Sequence, residues 1–286
     1  MKRRTPCGPL ALTFLLSIAA HAQWLNFRDP GAPRLPDGRV DLRAPAPKDS
    51  SGKPDLSGVW MHETTTAAEM RRLYGNVIDE AIQVDAPGME IGTQHRYSRN
   101  ILLDFKPEDS PVRPEALERM RRSAARPLGD ACTPGFVFGF PLAGLLSEPI
   151  KIVQAPHLTM VLYEAGNFHR QIYSDGRGLP EEVNLPAYNG YSAGHWEPDG
   201  TFVVETSGFN DKTPLDGMGH PHSESLRVIE RFRRVDFGDL EYEITFDDPK
   251  MYTKPFSVKI PHHLLPDADV FENFCENEKD RVHLGR

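Results

Sequence analysis

Between Ile150 and Ile260 the chain is cut into short runs of alternating apolar and polar residues, joined by linkers too short to hold a helix. The runs are Lys151 to Gln154, Thr159 to Glu164, His169 to Ser174, Gly194 to Glu197, Thr201 to Ser207, Ser225 to Arg234, Leu240 to Phe246 and Phe256 to Ile260. Period-two alternation is the pattern of half-buried strands. Linkers such as Ala155-Pro156-His157, Glu164-Ala165-Gly166-Asn167, Pro198-Asp199-Gly200 and Asp236-Phe237-Gly238-Asp239 are hairpin-sized, so neighbours should pair antiparallel. A parallel sheet would need crossovers of about a dozen residues. About eight consecutive antiparallel strands leave two sheet edges to hide, and closure into a ring hides both. The expected fold is mainly β, an antiparallel up-and-down barrel of lipocalin type with two N-terminal helices over one mouth or flank. A two-sheet β-sandwich is the alternative.

The strands begin earlier, where Lys53-Pro54-Asp55-Leu56-Ser57-Gly58-Val59-Trp60 passes from turn residues into a short apolar run. Thr66 and Glu69 form a capping box, and Met70, Leu73, Tyr74, Val77 and Ile78 fall on one helical face. Pro114 suits a first turn and opens a second helix through Leu117 and Met120 toward Ala125. Ile101 to Phe105 reads as a strand between them, and Pro127 to Pro149 has too much Gly and Pro for either element.

At the start, Lys2, Arg3 and Arg4 precede an apolar run from Leu10 to Ala20 and an Ala20-His21-Ala22 site. That is the order of a cleavable secretory signal. The chain therefore divides into a signal at 1–22, an extended leader at 23–57 rich in Pro, Gly and charge, and one barrel domain at 58–286 with a helical insertion at about 66–126. The expected location is periplasmic or secreted. A membrane-spanning helix needs about 20 apolar residues, and no segment supplies them. The net charge is -8 with basic residues scattered, which argues against nucleic-acid binding. Of three cysteines, Cys7 leaves with the signal. Cys132 and Cys275 then face an oxidising compartment, where a disulfide is expected and two separately buried thiols are the alternative. Oligomeric state is left open.

Several segments carry a resemblance. They are Asn189-Gly190-Tyr191-Ser192-Ala193-Gly194-His195-Trp196-Glu197, Gly219-His220-Pro221-His222-Ser223, Glu230-Arg231-Phe232-Arg233-Arg234, and Asp247-Asp248-Pro249 before Tyr252-Thr253-Lys254-Pro255. With the leading Lys53 to Trp60 segment and Cys275-Glu276-Asn277-Glu278, the chain resembles a family of secreted bacterial hypothetical proteins common in acidobacterial-type genomes. The resemblance implies secretion and brings no catalytic residues with it. Gly58-Val59-Trp60 also resembles the opening of lipocalin-type barrels.

Chemistry must come from polar groups inside such a barrel, whose interior is either filled by side chains or holds one small ligand. Strict alternation places Glu230 on the core face with Leu226, Val228 and Phe232, where a carboxylate needs a partner such as Arg170. Its alternative role is that of a general acid or base. His195 and Glu205 sit on adjacent strands across the turn at Asp199-Gly200, close enough in register for an oriented base or a structural pair. His220-Pro221-His222 offers two nitrogens to a metal, but Leu226 and Arg227 stand where the glutamate of a cupin-type motif would be, so His220 and His222 are weak metal candidates. Trp60, Tyr188, Tyr191 and Trp196 are candidate ligand-contacting aromatics, with Arg170 to orient a polar group. Nucleophile elbow, phosphate loop, dinucleotide fingerprint and zinc-protease helix motifs are all missing, so no cofactor is expected. The leading expectation is a barrel binding a small, partly apolar ligand. The alternative is a cofactor-independent acid/base enzyme of isomerase, cyclase or hydratase type, using His195, Glu205 and Glu230.

Overall fold

The alternating segments do become strands, and their inward faces define the architecture. A computed structural model of the chain describes residues 28–75, 95–124, 149–164, 168–182 and 184–271. The strands are β1 (Gly58–His62), β2 (Ile150–Ala155), β3 (Leu158–Tyr163), β4 (His169–Tyr173), β5 (Tyr191–Trp196), β6 (Phe202–Ser207), β7 (Arg227–Arg234), β8 (Asp239–Asp247), β9 (Phe256–Lys259) and β10 (His262–Leu264). They pair in chain order from β1 to β8, and β10 bridges β8 and β1, so a ring of nine strands closes while β9 extends the pairing of β8. β9 and β10 follow one edge, with the Ile260 amide donating to the Tyr242 carbonyl between them. Closure pairs Trp60 with Leu264 and His62 with His262 on one side of β10, and His262 with Leu240 on the other. This is a barrel rather than a sandwich.

It is a mixed barrel, which corrects the purely antiparallel expectation. β4 and β5 run parallel, pairing Ile172 with Ser192 and Tyr173 with Ala193. Asp175 to Gly178 forms a turn, with Asp175 Oδ1 accepting from the Arg177 amide. It does not lead into a hairpin. The connection that follows β4 returns to the level where that strand began, held by the Ala187 amide to the Gly208 carbonyl and the Asn210 amide to the Ala187 carbonyl.

Helix α1 (Ala67–Tyr74) starts where the capping box places it, with Thr66 Oγ1 accepting from the Glu69 amide at 3.2 Å. Helix α2 spans Pro114–Ala124. Ile101 to Phe105 is a series of turns rather than a strand. Asn100 Oδ1 takes the Leu102 amide and Asp216 Oδ2 the Ile101 amide, so side chains satisfy backbone groups that a sheet would otherwise need to pair. Ile101, Leu102 and Ala116 pack into the common core.

Residues 28–57 form a strap of turns docked on the end of the barrel opposite α1. The Phe237 and Gly238 amides donate to the carbonyls of Ala44 and Leu42, Arg34 pairs with Asp267 at 2.6 Å, and Gln154 receives the Leu56 amide. Arg234 holds the strap from within. Its guanidinium donates to the carbonyls of Asp55, Ser57, Phe237 and Asp236, and lies 4.8 Å over the Trp60 ring. Burial lowers the Arg234 pKa to about 10, so it stays charged. The signal segment, Val77, Ile78, Ala125, Pro127 to Glu148, Cys132 and Cys275 lie outside the described residues.

Candidate functional site

Alternation along β7 puts Val228, Glu230, Phe232 and Arg234 inside, and β4 brings Arg170 opposite. Arg170 donates to both Glu230 oxygens, at 2.9 and 2.5 Å, to Thr206 Oγ1 at 2.8 Å and to Ser192 Oγ at 3.0 Å. Tyr242 adds its hydroxyl to Glu230 Oε1 at 2.6 Å. Both charged side chains are almost wholly shut from water. Burial works against the Arg170 charge, but the field and hydrogen bonds of Glu230 outweigh it and hold the guanidinium above its ordinary pKa. Burial, then the Glu230 charge, pushes the Tyr242 phenol well up, and burial takes Tyr163 to about 12. Each partner here has its acceptor or donor, so the network locks the core.

The other residues singled out in the sequence do not gather round it. His195 pairs in register with Val203, and Glu205 with Ala193. Both point outward, and Glu205 meets Arg227 at 3.3 Å on the outer face. Of the aromatics, Trp60 is fully buried with its ring nitrogen bonded to the Leu56 carbonyl, and Trp196 packs inward on Phe202 at 4.9 Å. Tyr191 faces out with its hydroxyl on the Leu185 carbonyl, and Tyr188 lies under Lys212. The interior is taken up by large side chains, among them Trp60, Phe202, Phe246 and Ile152.

The loop between β6 and β7 lies at the mouth nearer the helices and carries buried polar groups that alternation could not assign. Asp216 accepts from His220 Nδ1 at 2.5 Å and from the amides of Ile101, Met218 and His220. This fixes the His220 ring with its other nitrogen directed away from the carboxylate. His222 turns elsewhere, toward Thr213 Oγ1 and the Ser223 carbonyl, and burial lowers its pKa. His220 and His222 thus serve separate networks. Among the described residues no three histidine, cysteine or carboxylate side chains form a metal-binding group. Asp216 was missed in the sequence because a Gly-rich loop has no face to count from, although an Asp four residues before a His was there to be noticed.

Beside α1 a cleft of about 380 Å³ opens between Glu63 to Thr66, Glu69, His95 to Tyr97 and Lys259 to Pro261. The chain leaves β1 by donating the Glu63 amide to the Pro261 carbonyl, which sets one wall. Thr64, Thr65 and Thr66 supply hydroxyls, Glu63, Glu69, Arg96 and Lys259 supply charge of both signs, and Ile260, Pro261 and the Tyr97 ring supply apolar surface. His95 lies at its buried side, its ring 5.0 Å from that of His62, which stands 6.4 Å from His262. His62 and His262 donate their Nδ1 protons to the carbonyls of Glu63 and Ile260, and His95 Nδ1 accepts from the Tyr97 amide. Burial, then the neighbouring His62, takes the His262 pKa down to about 3, and burial lowers that of His62. Sequence reading missed this group because its members come from three separate segments.

No protein-family model matches the chain, and no solved structure matches it.

Proposed function

We propose that this protein is an exported barrel that binds a small, partly apolar molecule in the cleft between Glu63–Thr66, His95–Tyr97 and Lys259–Pro261. The observation that carries this reading is the cleft itself. Its volume falls within the range of small-molecule sites, roughly 300–1,000 Å³, and it combines apolar wall with a few convergent polar groups. The barrel interior does not compete for the role, because Arg170, Glu230 and Tyr242 satisfy one another there. Export rests on the signal-like first 22 residues and on the family resemblance, and the pairing of Cys132 with Cys275 belongs to the same proposal.

Native mass spectrometry of the protein from its own host, before and after denaturing extraction, tests the binding reading. A retained small molecule is expected, and Thr65→Trp, which fills the cleft, should remove it without loss of fold. A wild-type protein that binds nothing under gentle conditions, or a molecule that Thr65→Trp fails to displace, would refute it.

A second reading, acid/base catalysis, is supported by the Asp216–His220 pair, where a carboxylate orients an imidazole as a general base requires. It replaces the arrangement of His195, Glu205 and Glu230, which do not converge. Under this reading the reacting group lies at His220, outside the lining of the cleft, and His220→Gln would abolish turnover while leaving the fold and cleft binding intact.

A further inference from the structure

Arg99 lies beside the turn that carries the Asp216–His220 pair. The Met218 amide donates to the Arg99 carbonyl at 2.9 Å, and Gly217 fits against it so closely that a Cβ there would lie 3.3 Å from Arg99 Cα. The side chain is set apart from other arginines of the cap. Arg96 pairs with Asp104 and Arg119 with Asp211, whereas Arg99 Nε and Nη2 are shut from solvent with no hydrogen-bond acceptor among the described residues. The nearby Asp216 carboxylate is already engaged by three amides and an imidazole. Burial lowers the Arg99 pKa, but a guanidinium remains protonated in proteins, so this partly buried side chain keeps its charge.

Buried donors on a charged group are costly when left unmet. The two unmet nitrogens share one edge of the guanidinium, and that edge matches two oxygens of a carboxylate or phosphate group in parallel hydrogen bonds. We infer that the Nε–Nη2 edge of Arg99 is a binding site for a small oxyanion, a carboxylate or phosphate group, placed in the cap beside the Asp216–His220 turn. The inference does not depend on the cleft. If both hold, the protein has two separate sites.

The test is the thermal midpoint of the full chain, titrated at constant ionic strength with millimolar sodium phosphate or sodium acetate in place of chloride. A ligand that binds only the folded state raises the midpoint in step with the logarithm of its concentration. A rise of several degrees is expected with at least one probe; phosphate alone would identify a phosphoryl ligand and acetate alone a carboxylate. Arg99→Met should give a flat response, and Arg99→Lys, which keeps the charge but not the paired donors, should need about tenfold more anion. The inference is overturned if neither anion moves the wild type, or if Arg99→Met responds as the wild type does. Should Arg99→Met not fold, a wild-type response from Arg99→Lys overturns it equally.

Discussion

Replacing Glu230 by Gln tests the account of the barrel interior most directly. The substitution preserves shape and leaves an oxygen for one donor, but removes the charge that Arg170 faces at 2.9 and 2.5 Å. Arg170 would keep Thr206 and Ser192, neither of which carries charge. Breaking a buried ion pair from one side costs about 3–5 kcal/mol, because the remaining charge is neither solvated nor matched. With a urea m-value of about 2–3 kcal/mol/M, the unfolding midpoint should fall by about 1–2 M at neutral pH. Removing the whole network is the informative contrast. Arg170→Leu/Glu230→Leu/Tyr242→Phe leaves no orphaned charge, and Ser192 and Thr206 still bond each other at 3.0 Å. That variant should be more stable than Glu230→Gln by about 3 kcal/mol or more. A midpoint for Glu230→Gln within about 0.3 M of wild type, or a triple variant no more stable than the single one, would refute the reasoning.

Acidification should destabilise the fold well above the carboxylate range. His262 is held at about 3 in the folded state, against about 6.5 when unfolded, so the unfolded chain takes up a proton that the folded chain refuses. Its contribution is complete above pH 6.5 and falls as pH drops toward 3, amounting to about 2 kcal/mol between pH 7 and 5; urea midpoints at both values should show this, and His262→Phe should reduce the slope. Gly194→Ala should cost about 1–3 kcal/mol by overpacking, since the new methyl would lie 2.5 Å from Phe202 Cζ inside the barrel; a denaturant midpoint unchanged from wild type would contradict that placement. Gly238→Ala should loosen the strap while leaving the ring closed, because a Cβ there would meet Leu42 Cβ at 2.7 Å; faster amide exchange confined to residues 28–57 and their contacts is the expected signature.

Alternation made the ring readable residue by residue, because an inward position in one strand has an inward neighbour in the next. The same count predicts an interior Glu230 in need of a cation, and the structure supplies Arg170. It fails where the backbone is satisfied by something other than a ladder. Ile101 to Phe105 has the composition of a strand, but Asn100 and Asp216 take its amides. β10 escaped notice because it spans only His262 to Leu264 and follows Pro261 directly. The parallel seam was hidden because the connection after β4 opens with turn chemistry that suits a hairpin equally well. His195 and Glu205 lie on adjacent strands, but the register that pairs them with Val203 and Ala193 turns both to the outer face, which a count from the turn alone does not fix. The cleft and the Asp216–His220 pair join segments distant in sequence, and no local pattern announces such meetings.

The strand that completes the ring is the last of the ring's strands in chain order. β1 ends at His62 and pairs with β10, which begins at His262, so the seam cannot form until the chain has been made through Leu264. During synthesis the earlier strands can pair only as an open sheet, with β1 and β8 as bare edges. Joining ends so far apart in sequence is intrinsically slow, and bare edges invite association with other chains. A chain shortened before Leu264 would thus be a different object from a slightly destabilised barrel: an unclosed sheet whose hazard is aggregation, and whose rescue would have to come from a partner that occupies the place of β10.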